Sequence, residues 1–200
     1  MMGLADPGTR IWVEPNDDPH KKLKFGWRLV EHHTGHFTGV DTSLPNKLLK
    51  IALINGDVPE LSHYKTVLPE QKYGKNSRID FLLRQNDHPD AYIEVKSVTL
   101  SRQTGLAEFP DCVTARGAKH LQELTNMAIS GHRAVLFYLV QRTDCDMVSV
   151  AADIDPVYAK ALQMACKTGV EILAYSVHIT PNVIEIGQNL IIRDPIALVL

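Results

Sequence analysis

The chain has 200 residues, 44% of them apolar, and a formal net charge of −2, enough material for one sizeable core or a main domain with a smaller appendage. No run reaches the eighteen or more uncharged apolar residues of a membrane span, and the start "MMGLADPGTR" has neither the basic nor the apolar region of a signal peptide, so a soluble, cytoplasmic protein is expected. Cys112, Cys145 and Cys166 are far apart and form no CxxC pair, which argues against a disulfide framework or a zinc knuckle.

The near-neutral sum also excludes a chain that coats nucleic acid wholesale, but the charge is unevenly spread. Between His63 and Arg84 the bases Lys65, Lys72, Lys75, Arg78 and Arg84 outnumber Glu70 and Asp80, whereas from Gln141 onward seven acids outnumber four bases. A polyanion would meet the middle of the chain first.

In chain order, "TRIWVEP" and "FGWRLVEHH" predict short strands around a polar, Pro-containing loop, a small β unit ending near Asp41. Trp12 and Trp27 are expected to fill its core rather than stack on bases, and "EHHTGH" reads as a polar hairpin tip rather than a metal site. "SLPNKLLKIALING" carries both end signals of a helix over 43–56. Then "SRIDFLLRQNDHPDAYIEVKSVTL" predicts a hairpin turning at "QNDHPD". In "FPDCVTARGAKHLQELTNMAISG", Asp111 can cap a helix that stops at Gly131; its apolar stripe includes Ala118, Leu121 and Ala128, and Arg116, Lys119, His120 and Glu123 gather on another face. "RAVLFYLVQ" has the continuous apolar character of a strand buried on both faces. "DIDPVYAKALQMACKTG" predicts a helix with Asp155 as cap and Pro156 as first residue, and "VEILAYSVHI" and "NVIEIGQNLII" supply further strands. Strands alternating with helices point to an α/β core around a mixed sheet.

The hairpin is unusual because charge is set into both strands: Asp80 in the first, Glu94 and Lys96 in the second. Side chains alternate across a strand, so Glu94 and Lys96 share a face, and Asp80 joins them only in the register that places it opposite Glu94. Two carboxylates that close repel unless a proton or a cation lies between them. Asp80, Glu94 and the Val95 carbonyl are hard oxygen ligands suited to Mg²⁺ or Mn²⁺, and Lys96 could stabilise charge on a phosphate. The spacing, Asp, thirteen residues, then Glu-x-Lys, is the PD-(D/E)xK arrangement of restriction-enzyme-like nucleases; a solvated strand face with a Lys–Glu pair is the plainer alternative.

"KYGKNSRIDFLL", "YIEVKSVTL", "FPDCVTARGAKHLQEL" and "GVEILAY" together resemble the sugar fermentation stimulation protein A (SfsA) family of bacteria and archaea, through nearly the whole chain. The resemblance implies an OB-like β barrel, partial here and expected over 1–41, since family members usually carry further residues ahead of "MMGLADPGT". A restriction-endonuclease-like α/β domain, a mixed sheet flanked by helices, follows over 42–200. It also implies a DNA partner and a link to the regulation of sugar (maltose) metabolism. By motif, Asp80, Glu94 and Lys96 take the nuclease positions, and Glu70 is a possible additional acid. Lys72, Lys75, Arg78, Arg116, Lys119 and His120 are the expected DNA contacts; a regulator that binds DNA without cutting it is the alternative.

Overall fold

A computed structural model describes residues 2–20, 22–74 and 77–193. Three strands, β1 (Arg10–Pro15), β2 (Phe25–Glu31) and β3 (Phe37–Gly39), form a small antiparallel sheet in that order. The chain then enters α1 (Leu44–Asn55), whose Leu48, Leu49, Ala52 and Leu53 are buried on one side. Next come β4 (Thr66–Tyr73), β5 (Ser77–Arg84), β6 (Ala91–Val98), β7 (Leu100–Gln103) and β8 (Gly105–Phe109). They are followed by α2 (Ala115–Ile129), β9 (Arg133–Val140), β10 (Cys145–Val150), α3 (Pro156–Lys167), β11 (Glu171–Ile179), β12 (Ile184–Asn189) and β13 (Ile191–Ile192).

Six strands make the main sheet, in the order β12-β11-β9-β6-β5-β4, and β13-β10-β8-β7 make a second. In the main sheet β9 lies parallel to β6 on one side and to β11 on the other, while β4–β5, β5–β6 and β11–β12 pair antiparallel. This is the mixed sheet the alternation of elements predicts. All of β9 after Arg133 is buried, as its unbroken apolar run requires.

Each face of the main sheet has its own core. On one side α1 packs Leu48, Leu49 and Leu53 over Phe81, Leu83, Ile93, Val95 and Phe137. On the other, Leu121 and Leu124 of α2 and Tyr158 and Leu162 of α3 cover Ile79, Leu82, Leu136 and Tyr138. Completely burying one such side chain is worth roughly 1.5–3 kcal/mol, so these two layers fix where β5 and β6 stand.

The start of α2 departs from the sequence expectation. Thr114, not Asp111, is its cap: Thr114 Oγ1 accepts from Gly117 N at 3.0 Å. The strand β8 runs to Phe109 and the link out of it consumes Asp111, so the helix begins four residues later. Asp155 caps α3 as expected, its Oδ1 accepting from Tyr158 N at 2.9 Å, and its Oδ2 also accepts the Thr114 N–H at 2.7 Å. One buried carboxylate therefore fastens the starts of both helices. Gly117 is required where they meet, because a Cβ there would stand 2.8 Å from Thr114 Cγ2 and 3.1 Å from Tyr158 Cδ2.

The small sheet is tied to the rest through Gly39 N to Gln141 O at 2.8 Å and Thr143 N to Phe37 O at 3.1 Å. Trp27 packs on its small core of Leu4, Val30 and Val40, but Trp12 is 38% exposed with its indole N–H on Glu31 at 2.9 Å, so only one tryptophan fills core. Among the described residues no helix is long and apolar enough to cross a membrane.

Candidate metal centre on the charged hairpin

β5 and β6 adopt the register that places Asp80 opposite Glu94: Phe81 pairs with Ile93, Leu82 with Tyr92 and Leu83 with Ala91. The backbone ladder between the two strands ends at Phe81 and Ile93, and a side chain continues it. Asp80 Oδ2 accepts the Val95 N–H at 2.7 Å, and Asp80 Oδ1 accepts from Asn46 Nδ2 of α1 at 2.8 Å. Ile79 packs under α2 but Phe81 under α1, although simple alternation would put both on one face. The strand turns at Asp80, and its carboxyl lies in the gap between β5 and β6. A residue in an antiparallel ladder presents its N–H and C=O to the same neighbour, so the Val95 carbonyl is directed into this gap as well.

Glu94 and Lys96 point to the α2 side. Glu94 is only 3% exposed, and two groups crowd one of its oxygens. Lys96 Nζ donates to Glu94 Oε1 at 2.7 Å, His120 Nδ1 of α2 contacts the same atom, and Lys96 Nζ stands 3.4 Å from His120 Nδ1. Arg116 Nε donates to the other ring nitrogen, His120 Nε2, at 3.3 Å. The second carboxylate oxygen, Glu94 Oε2, is buried with no hydrogen-bond partner. Isolation of that kind costs roughly 1–3 kcal/mol, more for a charged group, unless something else pairs with it.

The two carboxyls titrate in opposite directions. Burial, then the neighbouring negative charge of Glu94, pushes Asp80 up, against the Val95 and Asn46 hydrogen bonds and the Lys96 charge. Burial pushes Glu94 up too, but the His120 hydrogen bond and the Lys96 ammonium outweigh it and hold Glu94 below its ordinary value. An acid kept ionised near one that resists ionisation, with one of its own oxygens unpaired, suits a cation. Among the described residues no three or more His, Cys, Asp or Glu side chains converge on one point. A ready-made cage is therefore absent there, and two carboxylates with a backbone carbonyl suit an ion such as Mg²⁺ that keeps several waters.

The other expected residues divide. His120 is not a surface contact: it is 6% exposed and both ring nitrogens are engaged, because α2 lays its Leu121 and Leu124 into the core and carries the adjacent His120 inward with them. Glu70, expected as an additional acid, is exposed on β4 with φ 53, and that backbone turn leaves its side chain outside the buried cluster. Lys72 and Arg78 are exposed directly opposite each other on β4 and β5, and Arg116 and Lys119 are exposed on α2. Lys75 lies outside the described residues.

Three side chains join the site that the sequence did not single out as members of it. Asn46 grips Asp80, as above. Glu123, one turn beyond His120 and 7% exposed, accepts from Ser77 Oγ at 2.7 Å and leaves its Oε2 unpaired. The Tyr73 hydroxyl is buried near Glu123 without a well-formed hydrogen bond, and burial followed by the charges of Glu94, Glu123 and Asp80 drives its pKa far up. The spacing of His120 and Glu123 on one helix was visible; that this face turns inward was not. A concavity of about 480 Å³ lined by Lys72, Tyr73, Gly74, Ser77 and Arg78 opens next to the Glu123 side of this cluster. A second, of about 460 Å³ between the small sheet, α1 and residues 180–184, contains none of the acid, acid and lysine set.

The family model described as "Sugar fermentation stimulation protein RE domain" matches residues 43–183. Sugar fermentation stimulation protein homologs of Roseobacter denitrificans and Ruegeria pomeroyi are 67% and 66% identical; the matches cover 96% and 95% of this chain and 82% and 83% of those proteins. The structure of Pyrococcus furiosus SfsA in complex with Ca²⁺ superposes with a TM-score of 0.86 at 26% identity, over 96% of this chain and 80% of that one. The chain belongs to the sugar fermentation stimulation protein family.

Proposed function

We propose that this chain is a cytoplasmic DNA-binding protein whose α/β domain hydrolyses phosphodiesters with a divalent cation, in the setting of sugar (maltose) regulation. The observation that carries the reading is the buried, unpaired Glu94 Oε2 beside the strand gap occupied by Asp80. Asp80, Glu94 and the Val95 carbonyl would hold Mg²⁺ or Mn²⁺; the Pyrococcus furiosus relative, whose structure is a complex with Ca²⁺, supports a divalent ion in this fold. When bound, such an ion supplies Lewis acidity and a water acidified toward neutral pH.

The chain's own groups divide the remaining work. Lys96, held beside Glu94 at 2.7 Å, contributes a positive charge to the phosphate as negative charge develops on it. Asn46 and the Val95 N–H keep Asp80 in the gap. Lys72 and Arg78 face each other across β4 and β5, a like-charge pairing that is destabilising until an anion lies over it. Together with Arg116 and Lys119 they form the surface that would meet the DNA backbone, and Lys75, which lies between Lys72 and Arg78 in sequence, belongs to the same proposal.

The test is incubation of supercoiled plasmid and of single-stranded DNA with the protein and Mg²⁺ or Mn²⁺. Cleavage abolished by chelator and by Lys96→Ala is the expected result; cleavage no greater than that of Lys96→Ala defeats the catalytic reading. The opposed cations also favour a second reading, a regulator that binds without cutting. It requires DNA binding that persists in chelator and weakens with salt, as displacement of condensed counterions dictates.

A further inference from the structure

We propose that His120 is a positioning residue: through its Nδ1–H it pins Glu94 Oε1 and thereby leaves Oε2 as the oxygen offered to the cation. This rests on the reading of Asp80 and Glu94 as cation ligands. Its foundation is the direction of the hydrogen bonds. A guanidinium has donors only, so Arg116 Nε can approach His120 Nε2 at 3.3 Å only if that nitrogen carries the ring's lone pair. The proton then belongs to Nδ1, the atom that meets Glu94 Oε1.

The same assignment explains the crowding around that oxygen. Lys96 Nζ and His120 Nδ1 stand 3.4 Å apart as two donors, drawn together because both serve Glu94 Oε1. Oε1 is saturated and Oε2 has no partner. A carboxylate free to rotate would exchange its oxygens; two donors on one side, supplied by different elements, hold it. Metal-ligating groups are commonly oriented in this way by hydrogen-bonding neighbours, whose removal costs about 10–100-fold in metal affinity. Here the neighbour is an imidazole set by an arginine one helical turn earlier. Arg116 thus has a task besides meeting phosphate: it selects the tautomer.

Two measurements on the full chain test this. In protein labelled with ¹⁵N-histidine, the ring nitrogens of His120, assigned by their loss in His120→Asn, should show the Nδ1–H tautomer; the Nε2–H tautomer overturns the inference whatever the metal does. In calorimetric titration with Mn²⁺, His120→Ala should bind at least about tenfold more weakly than wild type. His120→Asn, whose amide N–H can occupy the place of Nδ1–H, should recover most of that loss. Wild-type affinity in His120→Ala, or no recovery in His120→Asn, overturns the inference. A wild type that takes up no Mn²⁺ instead overturns the reading of the site on which the affinity arm rests, and the tautomer still decides the hydrogen-bond pattern.

Discussion

Two glutamates of this protein are buried to nearly the same degree, Glu94 at 3% and Glu108 at 5% exposure, and they are bonded in opposite ways. Glu108 is closed. Arg102 donates Nε to its Oε2 at 2.9 Å and a terminal nitrogen to its Oε1 at 2.7 Å, and the Arg102 backbone N–H adds to Oε2 at 3.3 Å. Arg102 also reaches Asp153 at 2.6 and 2.9 Å, so its fork spans two acids. Glu94 is open, with its donors stacked on one oxygen and nothing on the other. Burial alone therefore does not mark a functional carboxylate. An unequal distribution of donors over its two oxygens does, because a structural ion pair gains most when every lone pair is used.

The comparison is broken most directly at Glu94. Glu94→Ala should lower both Mn²⁺ affinity and cleavage by at least about 100-fold, about 2.7 kcal/mol. Millimolar Mn²⁺ should raise the melting temperature of wild type, as a ligand specific to the native state must, but not that of the variant. A variant that still melts higher with Mn²⁺ would make Glu94 as structural as Glu108.

Arg102→Met is the converse. It strands Glu108 in the interior and should cost about 2–3 kcal/mol in urea unfolding. Cation affinity should stay at the wild-type value. A loss of affinity there would join the two regions energetically and blur the distinction.

A neutral closed pair gives a smaller effect. Tyr138 and Tyr158 bond hydroxyl to hydroxyl at 2.7 Å in the α2-side core, and Tyr158→Phe removes one partner at the cost of about 1–2 kcal/mol. Chemical denaturation measures it, and an unchanged midpoint would show that closure matters less than charge.

The smallest effect lies in acid. Hydrogen bonds from Arg102 hold exposed Asp153 down to about 2. A depressed carboxyl stabilises above its unfolded value, near 3.9, and loses that contribution as pH falls through about 2. Carboxyl NMR should place the midpoint there and return it toward 3.9 in Arg102→Met.

The elements that position the site were legible because each carries a local signal. "SLPNKLLKIALING" contains a proline start and a glycine stop, and α1 runs Leu44–Asn55 with Gly56 in the left-handed conformation. The alternation that put Glu94 and Lys96 on one face also holds, since both contact each other and α2. What could not be read is which face of a helix turns inward when two faces are plausible. Arg116, Lys119, His120 and Glu123 formed one polar cluster in sequence; packing divides it, leaving Arg116 and Lys119 in solvent and burying His120 and Glu123. Nor does a strand pattern reveal a break in alternation such as that between Ile79 and Phe81, which pack into opposite cores. The second sheet escaped because β7, β8 and β10 are short, and although β7 pairs with the adjoining β8, β8 and β10 meet from distant parts of the chain.

Asp155 carries a consequence beyond its own hydrogen bonds. The same carboxylate holds the N–H of Thr114 and the N–H of Tyr158, so the helix that delivers His120 shares a fastening at its leading end with α3. A disturbance on that remote flank therefore bears on the start of α2, the helix that brings His120 to Glu94. Precision at the acid pair is borrowed from a fastening on the other side of the helix layer.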